Sequence, residues 1–191
     1  TALAGYSYLR NKRGDILVSP STGLPISNPV FLPIGDRNPD FMIGFQNSFR
    51  YKDWSLSVLL DIRKGGDVFN GNEMYMFRNG LSTRVLDRAN PYVFQGVLRD
   101  GREESDAPTV NTIQVTPQFR SDFYGAFAEE SFVERDINWI RLRDVTLRYT
   151  FPQSLLSKQK AFRSGSIFLS ANELFLLTNY TGADPDVNGT S

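Results

Sequence analysis

The stretch Gly35-Asp36-Arg37-Asn38-Pro39-Asp40-Phe41-Met42-Ile43-Gly44-Phe45-Gln46-Asn47-Ser48-Phe49-Arg50-Tyr51-Lys52-Asp53-Trp54-Ser55-Leu56-Ser57-Val58-Leu59-Leu60-Asp61 decides how the chain folds. It contains two alternating segments joined by a two-residue polar turn, Lys52-Asp53. In an extended strand successive side chains point to opposite faces. The first segment therefore puts Phe41, Ile43, Phe45, Asn47, Phe49 and Tyr51 on one face, and Met42, Gly44, Gln46, Ser48 and Arg50 on the other. The second puts Trp54, Leu56, Val58, Leu60 and Ile62 together, with Ser55, Ser57, Asp61 and Arg63 opposite. Strands of soluble sandwiches run to about 5–6 residues, whereas a strand that crosses a bilayer needs about 9–11. Both segments have the longer length. Phe49, Tyr51 and Trp54 bracket the turn, at the depth where amphipathic rings sit at a membrane interface. The pattern is that of a transmembrane β-hairpin.

Composition narrows the function classes. The 191 residues carry 21 Lys+Arg and 21 Asp+Glu, a net charge of zero, which gives no electrostatic case for nucleic acid. No run of 18 apolar residues occurs, so a helical membrane span is excluded. Mean hydropathy is −0.31, which a β-barrel allows because its lumen and loops are polar. The 15 Phe and 8 Tyr suit aromatic girdles. With no Cys and no His, disulfides, thiol nucleophiles, His-based triads and Cys/His zinc sites are all ruled out. The expectation is a non-enzyme without a cofactor. The opening Thr1-Ala2-Leu3-Ala4-Gly5 has no basic region of a signal peptide and reads as a cut within a longer protein.

Further along, Val145, Leu147, Tyr149 and Phe151 share one phase of a third strand over 139–151, while Ile140 and Leu142 fall on the other. The switch predicts a bulge near Arg143 or inward packing at a rim. A fourth strand over 165–177 follows a turn carrying Lys158, Lys160 and Arg163. Spanning strands are thus expected near 41–51, 54–63, 139–151 and 165–177, and extracellular loops at 1–40, 64–138 and 178–191. Pro20, Pro25, Pro29 and Pro33 are expected to break any regular element in the first loop apart from a small hairpin. A short helix is read between Glu73 and Arg84, interrupted at Gly80. Long connections alternating with short turns are themselves a barrel signature. Four strands cannot close a barrel.

These motifs resemble the C-terminal barrel of the SusC/RagA-like TonB-dependent outer-membrane transporters. The likeness rests on Gly35 to Phe41, on Tyr51-Lys52, on Gly65-Gly66-Asp67-Val68-Phe69-Asn70, on Trp139 to Pro152, and on Tyr180-Thr181-Gly182-Ala183-Asp184-Pro185-Asp186. The resemblance implies a 22-stranded antiparallel barrel, of which this chain is an all-β, C-terminal segment, with the plug domain and the TonB box outside it. It implies uptake of oligosaccharides or peptides in Bacteroidetes-type bacteria, driven by the TonB complex, and a SusD-like surface lipoprotein as lid. The remaining expected neighbour is outer-membrane lipid. A passive porin-like or adhesive barrel, and a soluble β-rich carbohydrate-binding module, are the alternative readings.

Candidate contact residues for substrate or partner are the loop aromatics Tyr75, Phe77, Tyr92, Phe94, Tyr124 and Trp139, because such rings stack on sugar faces and anchor interfaces. Packing of the long loop on itself competes with that role. Asp184, Asp186 and Asn188 match the first half of a calcium loop, but a structural turn is favoured and no metal is expected. Gly65-Gly66-Asp67 lacks the Lys-Ser/Thr of a phosphate loop and reads as a strand exit. The adjacent pairs Glu103-Glu104 and Glu129-Glu130 read as solvated loop charge.

Overall fold

A computed structural model describes residues 1–157 and 163–186. In chain order the elements are β1 (Ala2–Tyr8), β2 (Leu17–Val18), β3 (Ser27–Asp36), β4 (Phe41–Tyr51), β5 (Trp54–Lys64), β6 (Val68–Phe69), α1 (Gly71–Arg78), β7 (Val97–Leu98), β8 (Val133–Glu134), β9 (Trp139–Thr150), the single turn α2 (Gln153–Leu156) and β10 (Ser166–Thr178). No described helix is long and apolar enough to cross a membrane. The chain divides into two compact units. One comprises Thr1–Asn38, Asp67–Arg135 and Gly182–Ser191; the other comprises Pro39–Gly66 and Asp136–Thr181.

The second unit is an antiparallel sheet in the order β10-β9-β5-β4, with strands of 11 to 13 residues. Its register builds apolar rows straight across the sheet. Ile43 lies beside Ile62, Ile140 and Leu177; Phe45 beside Leu60, Leu142 and Phe175; Phe49 beside Leu56, Leu147 and Leu169; Tyr51 beside Trp54, Tyr149 and Ile167. Asn47 is the one polar member of the remaining row, with Val58, Val145 and Ala171. The alternate rows form a polar face. Ser48, Ser57, Thr146 and Ser170 make one row, and Gln46, Leu59, Asp144 and Asn172 the next. The phase switch in β9 is a bulge. Leu59 pairs with Asp144 and Leu60 with Leu142, leaving Arg143 as the extra residue. That extra residue moves Ile140 and Leu142 onto the same face as Val145 and Leu147, so the apolar face runs unbroken along β9.

Aromatic rings gather at the Lys52-Asp53 end. Trp54 and Tyr149 lie 4.8 Å apart between ring centroids, and Tyr149 and Phe151 meet edge-on at 5.7 Å. Lys52 adopts φ 53°, the left-handed conformation that a two-residue hairpin turn demands. At the other end, Gly65 and Gly66 take φ of 82° and 88°. A Cβ on Gly65 would lie 2.9 Å from the Asp40 carboxyl carbon, so glycine is required for the strand exit.

The first unit departs from the loop expected over 1–40. β3 runs for 10 residues through Pro29 and Pro33 and pairs antiparallel with β1. Proline is tolerated because β3 is an edge strand in this sheet, where a missing donor costs no ladder bond on the open side. The outer edge of β1 is covered from within the same unit: the Tyr6 N–H donates to Glu129 Oε2 at 2.9 Å and the Tyr8 N–H to Glu130 Oε1 at 3.0 Å. The Glu129-Glu130 pair is thus a strand-edge clamp rather than solvated charge. Glu103 and Glu104, in contrast, stay at the surface and accept N–H groups of turns, from Gly101 at 2.6 Å and Lys12 at 3.3 Å. An unpaired strand edge offers a row of donors, and Glu129 and Glu130 satisfy two of those of β1.

The segment 64–138, expected as a long loop, builds a buried core together with residues of the first 40. α1 is capped by Asn70, whose side chain accepts from the Glu73 N–H at 3.0 Å, and ends before Gly80. Short 3₁₀ turns follow at Thr83–Val85, Pro117–Phe119, Tyr124–Ala126 and Glu129–Phe132. Val18, Leu24, Phe94, Val115 and Phe123 form one buried cluster, and Phe77, Val85 and Phe132 another; Tyr124 and Phe127 pack against both. β2 pairs parallel with β7, and β6 antiparallel with β8. Lys158, Lys160 and Asn188 lie outside the described residues.

Candidate functional site

Four of the six candidate aromatics converge in the first unit. Phe77, Phe94, Tyr92 and Tyr124 join Phe123, Phe127 and Phe132 in a lattice of rings. Phe77 lies 4.7 Å from Phe127 and 5.4 Å from Tyr124, and Tyr92 lies 4.8 Å from Phe94 and 5.7 Å from Phe123, mostly edge-on. Such geometry is the favoured one for aromatic quadrupoles and holds rings rigid. Phe77 and Phe94 are buried and serve as core. Tyr92 is exposed and Tyr124 half-buried.

The exposed side of the lattice is concave. A cavity of about 370 Å³ is walled by Phe77, Tyr92, Phe123, Tyr124 and Phe127 on the apolar side, and by Arg84, Asp87, Arg88 and Asn90 on the polar side. That volume is within the range of small-molecule sites, about 300–1,000 Å³. Arg84 stacks over Phe77 at 5.0 Å and over Phe132 at 5.3 Å, with Glu73 at 3.9 Å. A second hollow of about 230 Å³ lies behind Tyr92, Phe94 and Phe127, bordered by Tyr8 and Ser131. There the Tyr8 hydroxyl meets Ser131 Oγ at 2.7 Å, and burial pushes the Tyr8 phenol above its ordinary pKa.

Two candidates stand apart from this lattice. Tyr75 projects from α1 with its ring exposed. Trp139 belongs to the other unit, where it starts β9 fully buried on the polar face, with Arg141 at 5.3 Å and Arg143 at 6.0 Å from its ring. Its indole Nε1 has no hydrogen-bond partner among the described residues. Around it runs an ionic ladder: Arg141 donates to Glu173 at 2.9 Å, and Arg143 binds both Asp61 and Glu173.

Reading the sequence missed Phe123, Phe127, Arg84, Asp87, Arg88 and Pro117 as cavity walls. The signals available were the i, i+4 pairs Phe123/Phe127 and Arg84/Arg88, each on an irregular segment where no period draws attention to it. Within the half calcium motif, Asp184 accepts the Asp186 N–H at 2.8 Å. Among the described residues no cluster of three or more Asp or Glu could hold a metal ion.

In sequence the chain is similar to three TonB-dependent receptors of Formosa agariphila. It is 27% identical to receptor P3 over 155 residues, covering 81% of this chain and 14% of the relative. The values for receptor P26 are 22% over 185 residues, 96% of this chain and 16% of the relative. For receptor P39 they are 26% over 157 residues, 81% and 14%. The chain therefore spans about a seventh of the length of these curated relatives. No family model matches. Among solved structures, the RagAB peptide transporter superposes with a TM-score of 0.54 at 18% identity, over 98% of this chain and 20% of that one. At that identity the likeness is one of fold. It matches the transmembrane antiparallel β-barrel expected from the alternating strands, of which this chain holds an unclosed part.

Proposed function

We propose, from the premise that this chain is a β-barrel segment of the SusC/RagA-like TonB-dependent transporter type, that it forms part of the wall and outer mouth of an importer in the bacterial outer membrane. The observation that carries the reading is the apolar face that continues across β4, β5, β9 and β10 through the bulge at Arg143. Phe45, Phe49, Tyr51, Ile167, Leu169 and Leu177 on that face are all more than half exposed. An exposed apolar surface of this extent on one side of a polar sheet calls for hydrocarbon. The four long strands are the spanning segments in this reading. The Lys52-Asp53 turn and the 152–164 connection are periplasmic, and residues 64–138 are extracellular.

The cargo class is oligosaccharide or peptide, and a SusD-like surface lipoprotein closes over the mouth. The aromatic cavity of the first unit is the candidate contact site for cargo, and Tyr75 a candidate for the lid. Energy reaches the barrel from the TonB complex through a plug carried elsewhere in the full-length protein. The reading is supported by the names of the sequence relatives and by the barrel fold. The test is fractionation of cells expressing the full-length protein, followed by uptake of labelled oligosaccharides and peptides with and without TonB. The expected result is outer-membrane residence and TonB-dependent uptake. Recovery in a soluble fraction, or uptake that persists without TonB, would overturn it.

A further inference from the structure

Arg88 borders three adjoining hollows of the first unit, of about 370, 590 and 170 Å³. The two larger ones also share Pro117 and Tyr124. Neighbouring cations are engaged: Arg120 donates to Asp122 at 2.7 Å, and Arg84 faces Glu73. The Arg88 guanidinium has no acidic partner among the described residues, although its backbone is fixed by bonds from its own N–H to Val85 and from the Gln118 N–H to its carbonyl. Asp87 and Asn90, on the rim of the same cavity, make no side-chain hydrogen bond among the described residues.

We propose that this cavity is a subsite for a uronic-acid residue of an oligosaccharide, with Arg88 as the carboxylate anchor. The proposal rests on the importer reading and names the cargo chemistry for it. A pyranose ring has an apolar C–H face and a rim of hydroxyls. Tyr92, Tyr124 and Pro117 offer flat surfaces for that face. Asp87 accepts from hydroxyls, and Asn90 both donates and accepts. A neutral sugar would leave the guanidinium facing hydroxyls alone. A carboxylate on the ring takes its two parallel N–H donors in a fork, which is the stronger arrangement. The side-chain donors and acceptors beside the aromatic rings suit the hydroxyl rim and the apolar face of a sugar, and an acidic peptide is the competing ligand that the test includes.

The test is calorimetric titration of the full-length protein in detergent, where no TonB or membrane energy enters. The probes are tetragalacturonate, the same tetrasaccharide with its carboxyls methyl-esterified and therefore neutral, and a tetra-aspartate peptide. Tetragalacturonate is expected to bind at least roughly 10-fold tighter than the neutral ester. Arg88→Ala should erase that preference, and Arg88→Lys should restore only part of it, because an ammonium keeps the charge but not the fork. Equal affinity for the acidic and neutral sugars, an unchanged preference in Arg88→Ala, or tightest binding of the peptide would each overturn the proposal. If TonB-dependent uptake persists while the preference is absent, the subsite alone fails. If the preference is present while uptake is TonB-independent, the importer reading alone fails.

Discussion

The Arg143 guanidinium donates to Glu173 at 3.2 Å, and both residues sit where a strand carries one residue more than its neighbour. Arg143 is the extra residue of β9 against β5. Glu173, at φ 51°, lies in the step between Asn172 and Phe175 where β10 in turn exceeds β9. The two bulges therefore occur at one height, and the ion pair joins them on the polar face. Glu173 also holds Arg141, whose side chain is only 6% exposed.

Glu173→Ala should lower the unfolding free energy of the barrel by about 1–2 kcal/mol, because two guanidinium groups, one of them mostly buried, each lose one carboxylate partner; the exposed half of Glu173 keeps the figure below that of a fully buried pair. Urea unfolding of the full-length protein in detergent measures it. An unchanged midpoint would mean that the backbone alone fixes both bulges.

Val58 and Ser57 are neighbours on opposite faces of β5. Val58→Arg should cost about 2–4 kcal/mol if it faces the bilayer midplane, and Ser57→Arg should be mild. Folding yield into liposomes separates them. Equal tolerance would show that the apolar face meets something other than lipid.

Gly96 lies directly against the carbonyl oxygen of Ile16, and its own carbonyl accepts the Asn111 N–H at 2.9 Å. A Cβ there has no room. Gly96→Ala should part β2 from β7 and destabilise the first unit by about 2–3 kcal/mol, with a matching rise in proteolytic cleavage between 64 and 138. Cleavage at the wild-type rate would show that the backbone shifts without loss.

Four carboxylates outside β4, β5, β9 and β10 are held below their ordinary pKa. Lys64 does this for Asp136, Arg120 for Asp122, the Thr109 hydroxyl for Asp100, and the Asn38 N–H for Asp36. A lowered folded-state pKa adds stability that is present above the unfolded value, near 3.9, and is lost as pH falls through the folded value. Protease resistance of the segment 64–138 should thus be flat above pH about 5 and fall below about 4. Asp122→Asn should reduce the acid sensitivity. A profile that weakens toward alkaline pH instead would contradict the sign.

Tyr75, Leu81, Leu86 and Phe119 stand 66–77% exposed on α1 and the turns that follow. If the proposed lipoprotein docks there, the triple change Tyr75→Ser, Leu81→Ser and Leu86→Ser should weaken its copurification with the full-length barrel while leaving barrel yield unchanged. None of the three belongs to the buried clusters around Phe77 and Phe94. Full recovery of the partner would move the docking surface elsewhere.

What the sequence determined by itself is the four long strands and the face each side chain takes. Period-2 alternation is a local property, so Phe41 to Ile62 already states which side chains share a face, and the phase break between Leu142 and Val145 already contains the bulge at Arg143. The glycines at 65 and 66 announced a strand exit for the same local reason. Tertiary structure alone decided the rest. β3 exists despite Pro29 and Pro33 because β1, 19 to 34 positions earlier, supplies its partner. Glu129 and Glu130 are clamps because they reach Tyr6 and Tyr8 across more than 120 positions. The aromatic cavity is assembled from irregular segments, where no periodicity links Phe77 to Tyr124 or Arg88 to Pro117. Strand faces follow from the geometry of adjacent residues, whereas a site made by loops depends on long-range closure that no local pattern encodes.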